Sequence, residues 1–378
     1  MARFPAVILG GGLVTSLGRG LPAHARALAA GQAHPGRSSL SFAGAALPFH
    51  FVAEPRDDAG ASFLRLIEQA VTDALAEARL PPEAVARLGI FVGSTSIDLP
   101  LIEAGYASAH ARGEIPRVGA PRYGLLARDI AARFAIAGPQ YTFNTACSSS
   151  ANAALYARAM LAEGRIEHAL VVGAEGYTRL SLLGFASLML LTREGYRPFD
   201  RARDGMILGE GVGALVLGRT GPAQAPAIIG AATACDASSP THSQPGQLAG
   251  VMREALDDAG VAPSQLVAIK AHGTGTPGSD LSEGQALRLV FGDAPPPLTS
   301  IKPYTGHTLG ACGAVELLCM LACWRDAFLP LTPGFAEPDD ALGLSPLTQC
   351  RSAGAGAMLC NFFGFGGNNT SLVLRRGP

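Results

Sequence analysis

The feature that most constrains this chain is an internal duplication that keeps its order. Ser62 to Arg79 carry a helical pattern, a proline pair follows, and the apolar run Leu88 to Val92 then ends in Gly93-Ser94-Thr95. The same succession returns from Met252 through Pro263 to Ile269 and ends in His272-Gly273-Thr274. Written one under the other, ALAEARLPPEAVARLGIFVGST and ALDDAGVAPSQLVAIKAHGT match with a short gap, a helix, turn and strand used twice. Two further echoes keep the order. Thr145-Ala146-Cys147, leading into the alanine-rich stretch 149–163, aligns with Thr305-Gly306-His307, leading into 310–325, and LVLGR at 215–219 aligns with LVLRR at 372–376. The insertions between matched segments are unequal, which describes two fused α/β halves and not a solenoid. Thr220 to Pro226, a short connection with glycine and proline, is the expected boundary, giving halves 1–220 and 221–378. Continuous apolar strands such as Ala6 to Leu9 and Ala169 to Val172 suit sheets covered by helices on both faces.

Composition narrows the function classes. With 48% hydrophobic and 16% charged residues over 378 positions, the chain can build an extensive core without staples. Lys and Arg number 29 against 30 Asp and Glu, so no global field draws a polyanion, and nucleic acid is not an expected partner. Seven cysteines without framework spacing point to a reducing, cytoplasmic compartment. The uncharged stretch Pro5 to Gly18 lacks a basic leader and is rich in glycine, so it reads as a buried strand and turn and not as a signal peptide. The longest apolar run, Leu180 to Leu191, is shorter than the roughly 20 residues of a membrane span. It is read as core or subunit interface, with Phe185 as a lining residue of a pocket in the functional reading.

The duplication also makes a chemical statement. It places Cys147 and His307 at equivalent positions, each expected at the start of a helix, and pseudo-twofold packing would bring those helix starts together. An active site is therefore expected between the halves, with the two side chains well within about 10 Å, since direct chemistry needs hydrogen-bond reach or one water. A cysteine among small residues is by itself a buried apolar thiol. Beside a helix N-terminus, however, the dipole and free N–H groups favour a thiolate and hold an oxyanion. HGTGTP at 272–277 puts a histidine at the end of an apolar strand, before a loop of hydroxyls and amides suited to a polar linker. GHTLGACG at 306–313 follows Lys302, and it is not a phosphate loop, because the lysine precedes the glycines. In NFFGFGGNN at 361–369, Phe363 and Phe365 flank glycines of a hairpin and suit a gate. Cys312, Cys319 and Cys323 form one stripe of a helix and are read as core, with no fourth ligand for a metal. Gly10-Gly11-Gly12 lacks the dinucleotide fingerprint.

In that order, TACSSS, HGTGTP, Lys302 with His307, and GFGGNN resemble the β-ketoacyl-acyl carrier protein synthase family of the thiolase fold. The likeness covers nearly the whole chain, including RPFDRARDGMILGEGVG at 197–213. It implies a five-layered αβαβα architecture of two pseudo-symmetric halves. It further implies that Cys147 accepts the acyl chain, while His272 and His307 bind a malonyl thioester carbonyl and promote decarboxylation. Lys302 would support the site electrostatically, Asp280, Glu283 and Glu316 would brace it, and the backbone N–H groups of Cys147 and Phe365 would form the oxyanion hole, with Phe365 as gate. Thr274 and Thr276 would touch the phosphopantetheine arm. The expected reaction is a decarboxylative Claisen condensation on carrier-bound chains in fatty-acid or polyketide assembly, including polyene or aryl-polyene pathways. It needs no metal or redox cofactor, and its partners are acyl carrier protein and a second, identical or ketosynthase-like subunit. The other readings are a non-catalytic, chain-length-factor-like subunit, or an initiating ketosynthase or thiolase. Departures from the family pattern are trimmed segments around 40–60 and 93–123, Asn144 and Asn368, none of which removes a catalytic atom.

Overall fold

The structure, a computed structural model, describes residues 4–33, 35–52, 59–115 and 124–376; parts of both trimmed segments, 53–58 and 116–123, lie outside the described residues. Ten strands carry the fold: β1 (Ala6–Thr15), β2 (Gly89–Gly93), β3 (Gln140–Phe143), β4 (His168–Glu175), β5 (Gly211–Gly218), β6 (Ala227–Cys235), β7 (Leu266–Lys270), β8 (Leu298–Thr299), β9 (Gly356–Phe363) and β10 (Asn368–Arg376). They lie in the order β3-β2-β4-β5-β1 and then β6-β10-β9-β7-β8, with the short strand Gly18–Arg19 beside β1. Pairing repeats with the order. β2 is parallel to β3 and β4, as β7 is to β8 and β9, while β5 lies antiparallel to β4 and β1, as β10 does to β9 and β6. The two halves of the sheet meet through a short ladder, Ala6 opposite Ile228 and Val7 opposite Ala227.

The helices that position the site are α1 (Ala59–Ala78), α2 (Leu125–Arg133), α3 (Ser149–Ala162), α4 (Arg179–Ser187), α5 (Pro245–Ala259), α6 (Pro277–Phe291) and α7 (Cys312–Arg325). α1 and α2 cover the outer face of the first half and α5, with α6 beside it, that of the second, whereas α3 and α7 fill the layer between the halves. This is the five-layered α/β arrangement that the family resemblance implies, and it explains the continuous apolar strands. On β4, Ala169 and Val171 face the central helices while Leu170, Val172 and Ala174 face the outer ones. On β9, Met358, Cys360 and Phe362 face inward and Ala357, Leu359 and Phe363 outward.

Small residues set how closely the layers approach. A Cβ added at Gly12 would lie 1.8 Å from the carbonyl oxygen of Ala70 in α1, so the N-terminal glycines seat a helix on a strand. In the central layer a Cβ at Gly313 would lie 2.3 Å from the backbone nitrogen of Ala151 in α3. The two helix starts therefore abut, as the repeat implies.

Three sequence expectations are adjusted. Cys147 does not open α3 but precedes its cap Ser148, and His307 lies ahead of a 3-10 turn, Leu309–Ala311, that leads into α7. Left-handed residues, Ala146 with φ 52° and Gly306 with φ 72°, turn the chain before each helix can begin. The apolar run Leu180 to Leu191 is neither wholly core nor wholly surface: Leu182 and Ala186 are buried, whereas Leu180 and Met189 are 65% and 60% exposed. Its helix, Arg179–Ser187, buries Leu182 and Ala186 and leaves Leu180 exposed. Cys312, Cys319 and Cys323 are buried along α7, and all seven cysteines are free. Among the described residues no helix is long and apolar enough to cross a membrane.

Close approach at Gly313 gives a test. Gly313→Val is expected to lower unfolding stability by about 1–3 kcal/mol, the usual cost of overpacking a filled core, in urea denaturation. A midpoint equal to that of the parent would show that the helices can part freely.

Candidate active site

Four chain segments converge between the halves. Cys147 comes from the turn after β3, His272 from the loop after β7, His307 from the turn before α7, and Phe363 and Phe365 from the β9–β10 hairpin. Nε2 of His307 lies 3.1 Å from the Cys147 sulfur, and the His272 and His307 rings meet edge to face with centroids 5.5 Å apart. All three are buried, and all line one cavity together with Phe185, Phe363, Phe365 and Thr274. The expected juxtaposition of Cys147 and His307 is thus present at hydrogen-bond distance.

Local geometry presents the sulfur. Ala146, a non-glycine residue in the left-handed region, makes a sharp bend, and Thr145 N–H donates to Ser149 Oγ (3.0 Å). Asn152 Nδ2 donates to Thr145 Oγ1 (2.8 Å), and the Cys312 thiol donates to the Cys147 carbonyl (2.9 Å). Cys312 therefore ties α7 to the turn that carries Cys147. The backbone N–H of Phe365 is directed at Cys147.

The electrostatics correct the expected thiolate. Burial pushes the Cys147 thiol up to about 11, against the opposing pulls of Lys302 and the Phe365 N–H. Loss of solvent outweighs whatever the nearby helix start supplies, so at neutral pH the sulfur rests as a thiol. Burial first, then Lys302 and Lys270, with His307 also acting on His272, hold both imidazoles well below the usual histidine range. Two neutral imidazoles thus face a protonated thiol. His272 has one possible tautomer, because Lys302 Nζ lies 3.3 Å from its Nδ1 and an ammonium can only donate. Nδ1 accepts, and Nε2 carries the proton.

The acids brace this arrangement. Glu316 takes Lys302 on Oε1 (2.7 Å). Burial works against the charge on Lys302, but Glu316 overcomes it and keeps the ammonium above its ordinary value. Glu283 accepts the backbone N–H groups of His272 and Gly273, both at 2.8 Å, and fixes the start of the loop. Asp280 accepts from Gly275 and Phe199 at 3.0 and 2.7 Å, and burial pushes its carboxyl up to about 7. Phe365 stacks on Phe185 with centroids 5.9 Å apart, and Phe363 packs against the His272 ring at 5.7 Å.

Thr276 precedes α6 and shares a 3.0 Å hydrogen bond with Thr274 Oγ1, and Thr274 is among the cavity walls. Ser279 and Ser282 of α6, with Thr241, His242 and Ser243, supply the further polar lining that sequence reasoning missed, and Met206 and Leu248 supply apolar lining. Apart from Met206, which lies within the 197–213 stretch, these residues stand outside the quoted motifs, and only folding brings them to the cavity. Glu175 was also missed. At the end of β4 it accepts from Thr95 and Ser96 of the first half and from Gly310 N–H (3.0 Å) of the second. Lys270, at the end of β7, was missed likewise. The available signal in both is a charge ending a fully apolar strand, VVGAE and VAIK.

Comparison with known proteins agrees with this geometry. Residues 22–223 match the family model of the beta-ketoacyl synthase N-terminal domain, and residues 226–336 that of its C-terminal domain. A 3-oxoacyl-(acyl-carrier-protein) synthase 2 of Vibrio cholerae is 32% identical over 78% of this chain and 77% of its own. A protein of the same description from Coxiella burnetii is 30% identical over 100% of this chain and 99% of its own. Among solved structures, the ketosynthase ApeO in complex with its chain length factor ApeC from Xenorhabdus doucetiae has a TM-score of 0.87 and 28% identity, covering 99% of this chain and 98% of that one. The ishigamide ketosynthase/chain length factor has a TM-score of 0.87 and 27% identity over 100% of both chains. The chain belongs to the β-ketoacyl synthase family and has the thiolase fold of its ketosynthases.

The raised thiol gives a pH prediction. Only the thiolate is alkylated readily, so the rate of iodoacetamide reaction at Cys147 is expected to climb with pH toward about 11. A plateau near pH 7, followed by peptide mass spectrometry, would show instead a thiolate already formed at rest.

Proposed function

We propose that the chain catalyses decarboxylative Claisen condensation of an acyl group held on Cys147 with malonyl-acyl carrier protein, yielding a β-ketoacyl-acyl carrier protein. The observation that carries this reading is the 3.1 Å approach of His307 Nε2 to the Cys147 sulfur, beside a His272 whose Nε2 must bear a proton.

The first half is acyl transfer. The Cys147 sulfur attacks the carrier thioester, its proton ends on the departing carrier thiol, and His307, with its proton on Nε2, stays beside the sulfur. The oxyanion formed is held by the backbone N–H groups of Cys147 and Phe365. The second half uses the imidazoles. His272 Nε2–H and His307, with its proton on Nε2, donate to the malonyl thioester carbonyl as the carboxylate leaves as carbon dioxide. The electron pair of the broken C–C bond becomes an enolate. Its carbon attacks the acyl-Cys147 carbonyl, and the thiolate released takes up a proton. No electron is gained or lost overall, and no metal or redox cofactor is called for. Thr274, with Ser279 and Ser282, lines the way for the carrier arm, while the Phe185–Phe365 stack closes the cavity beside the sulfur.

The partners under this reading are acyl carrier protein and a second subunit, a copy of this chain or a ketosynthase-like protein. The pathway is fatty-acid or polyketide assembly. The resemblance to ketosynthases solved with chain length factors supports a ketosynthase-like second subunit. A non-catalytic subunit is the contrasting reading, and the presence of Cys147, His272 and His307 in mutual contact speaks against it.

Two variants test the proposal. Intact-mass spectrometry after incubation with acyl-carrier protein should show an acyl adduct on the parent and none on Cys147→Ala, with unchanged thermal unfolding. A variant that still condenses at the parent rate refutes the nucleophile. His272→Ala should slow malonyl-carrier decarboxylation about a hundred- to a thousand-fold, the usual cost of one oxyanion donor, and should slow acyl loading much less. Efficient loading from acetyl-coenzyme A alone would favour an initiating enzyme.

A further inference from the structure

Behind the two histidines, three charged side chains are packed without solvent: Lys270, Lys302 and Glu316 are each 0% exposed. They come from separate elements, Lys270 from the last position of β7, Lys302 from the short helix Lys302–Thr305, and Glu316 from α7. Each carboxylate oxygen serves one ammonium, Oε1 taking Lys302 at 2.7 Å and Oε2 taking Lys270 at 2.5 Å. The Lys270 ammonium also donates to the Asn361 carbonyl at 2.6 Å and stands 3.7 Å above the Phe362 ring. Lys270 is not part of the cavity wall. A buried ammonium is a costly choice where an apolar side chain would fill the volume, and two of them against one carboxylate leave a formal charge of +1 in the wall. The nearby Glu283 does not cancel it by contact, because its oxygens hold the backbone of His272 and Gly273 and the Asn361 amide.

We propose that Lys270 is a positioning residue for decarboxylation: its ammonium occupies one Glu316 oxygen, so that Lys302 is held by the other alone and stays set against His272 Nδ1. This rests on the condensation reading only for the step it serves. Without Lys270, Glu316 could take Lys302 through both oxygens and draw it from His272, and the formal charge of the wall would fall from +1 to 0. Both changes let His272 bind a proton more readily, and a protonated His272 no longer has the neutral Nε2–H that Lys302 enforces. Burial, Lys302, His307 and Lys270, in that order, already hold His272 down. The charged and titratable groups around this wall are Glu316, Cys312 and Cys319 of α7, Glu283 and Asp280 of α6, Cys360 of β9, Lys302, His307 and Cys147.

The test uses the full chain with carbon-13-labelled histidine, the His272 signal being assigned with His272→Gln. In Lys270→Met the His272 titration midpoint is expected to rise by about one pH unit or more, the size a neighbouring charge produces. The acid limb of malonyl-carrier decarboxylation should move upward with it, while acyl loading of Cys147 changes less than decarboxylation does. A purely structural lysine would lower both half-reactions equally and leave the midpoint in place. Should Lys270→Met fail to fold, Lys270→Gln keeps hydrogen-bonding groups without the charge and gives the same comparison. His272 spectra that match the parent at every pH where both proteins stay folded overturn the proposal. If the parent itself decarboxylates no malonyl-carrier, the proposed function fails, and the titration still decides the role of Lys270.

Discussion

Everything at the site depends on how closely two helix starts can approach. α3 and α7 lie side by side in the central layer, with Gly313 against the Ala151 backbone, Ala314 N–H donating to Ser150 Oγ at 3.0 Å and the Cys312 thiol donating to the Cys147 carbonyl. That contact fixes the turn carrying Cys147 relative to the turn carrying His307. Hydrogen bonds to one shared carboxylate, Glu175, then pin the 94–96 turn to the 308–311 turn across the same junction. A cysteine and a histidine 160 positions apart in sequence can keep a 3.1 Å spacing only because both turns are locked to the same pair of helices.

The electrostatics follow from the burial this packing creates. Loss of solvent raises the Cys147 thiol and lowers both imidazoles, which leaves neutral groups on either side of the proton to be moved. The charges are kept one step back, on Lys270, Glu316 and Lys302, where each is satisfied by hydrogen bonds. Removing Glu316 would leave two buried ammoniums without their carboxylate, a kind of loss that typically costs about 3–5 kcal/mol. The site therefore combines an uncharged surface with a charged, hydrogen-bonded backing.

Much of this was legible in the chain because the duplication is legible. Periodicity and repeated order expose α1 with β2 and α5 with β7, and they place Cys147 and His307 at one junction before any comparison is made. The motifs single out His272 and Lys302, and the family resemblance adds Asp280, Glu283 and Glu316. What sequence could not supply is what depends on three-dimensional closure. Ser279, Ser282 and His242 enter the cavity wall only through the packing of α6 and the loop before α5. The thiol's direction of shift was misread, because a helix start is visible in sequence and full burial is not.

The continuous inner core has a consequence for the repeat itself. Residues of both halves, among them Ala151, Val171, Leu318, Met358 and Leu372, belong to one apolar cluster. A single repeat would leave the inner face of its sheet and one flank of its helix bare to water, so only two copies together can close the layer. Joining the copies in one polypeptide makes that closure independent of protein concentration. It also frees two once-identical turns to carry unlike side chains, so that a sulfur can face an imidazole across an axis where symmetry would otherwise set like against like.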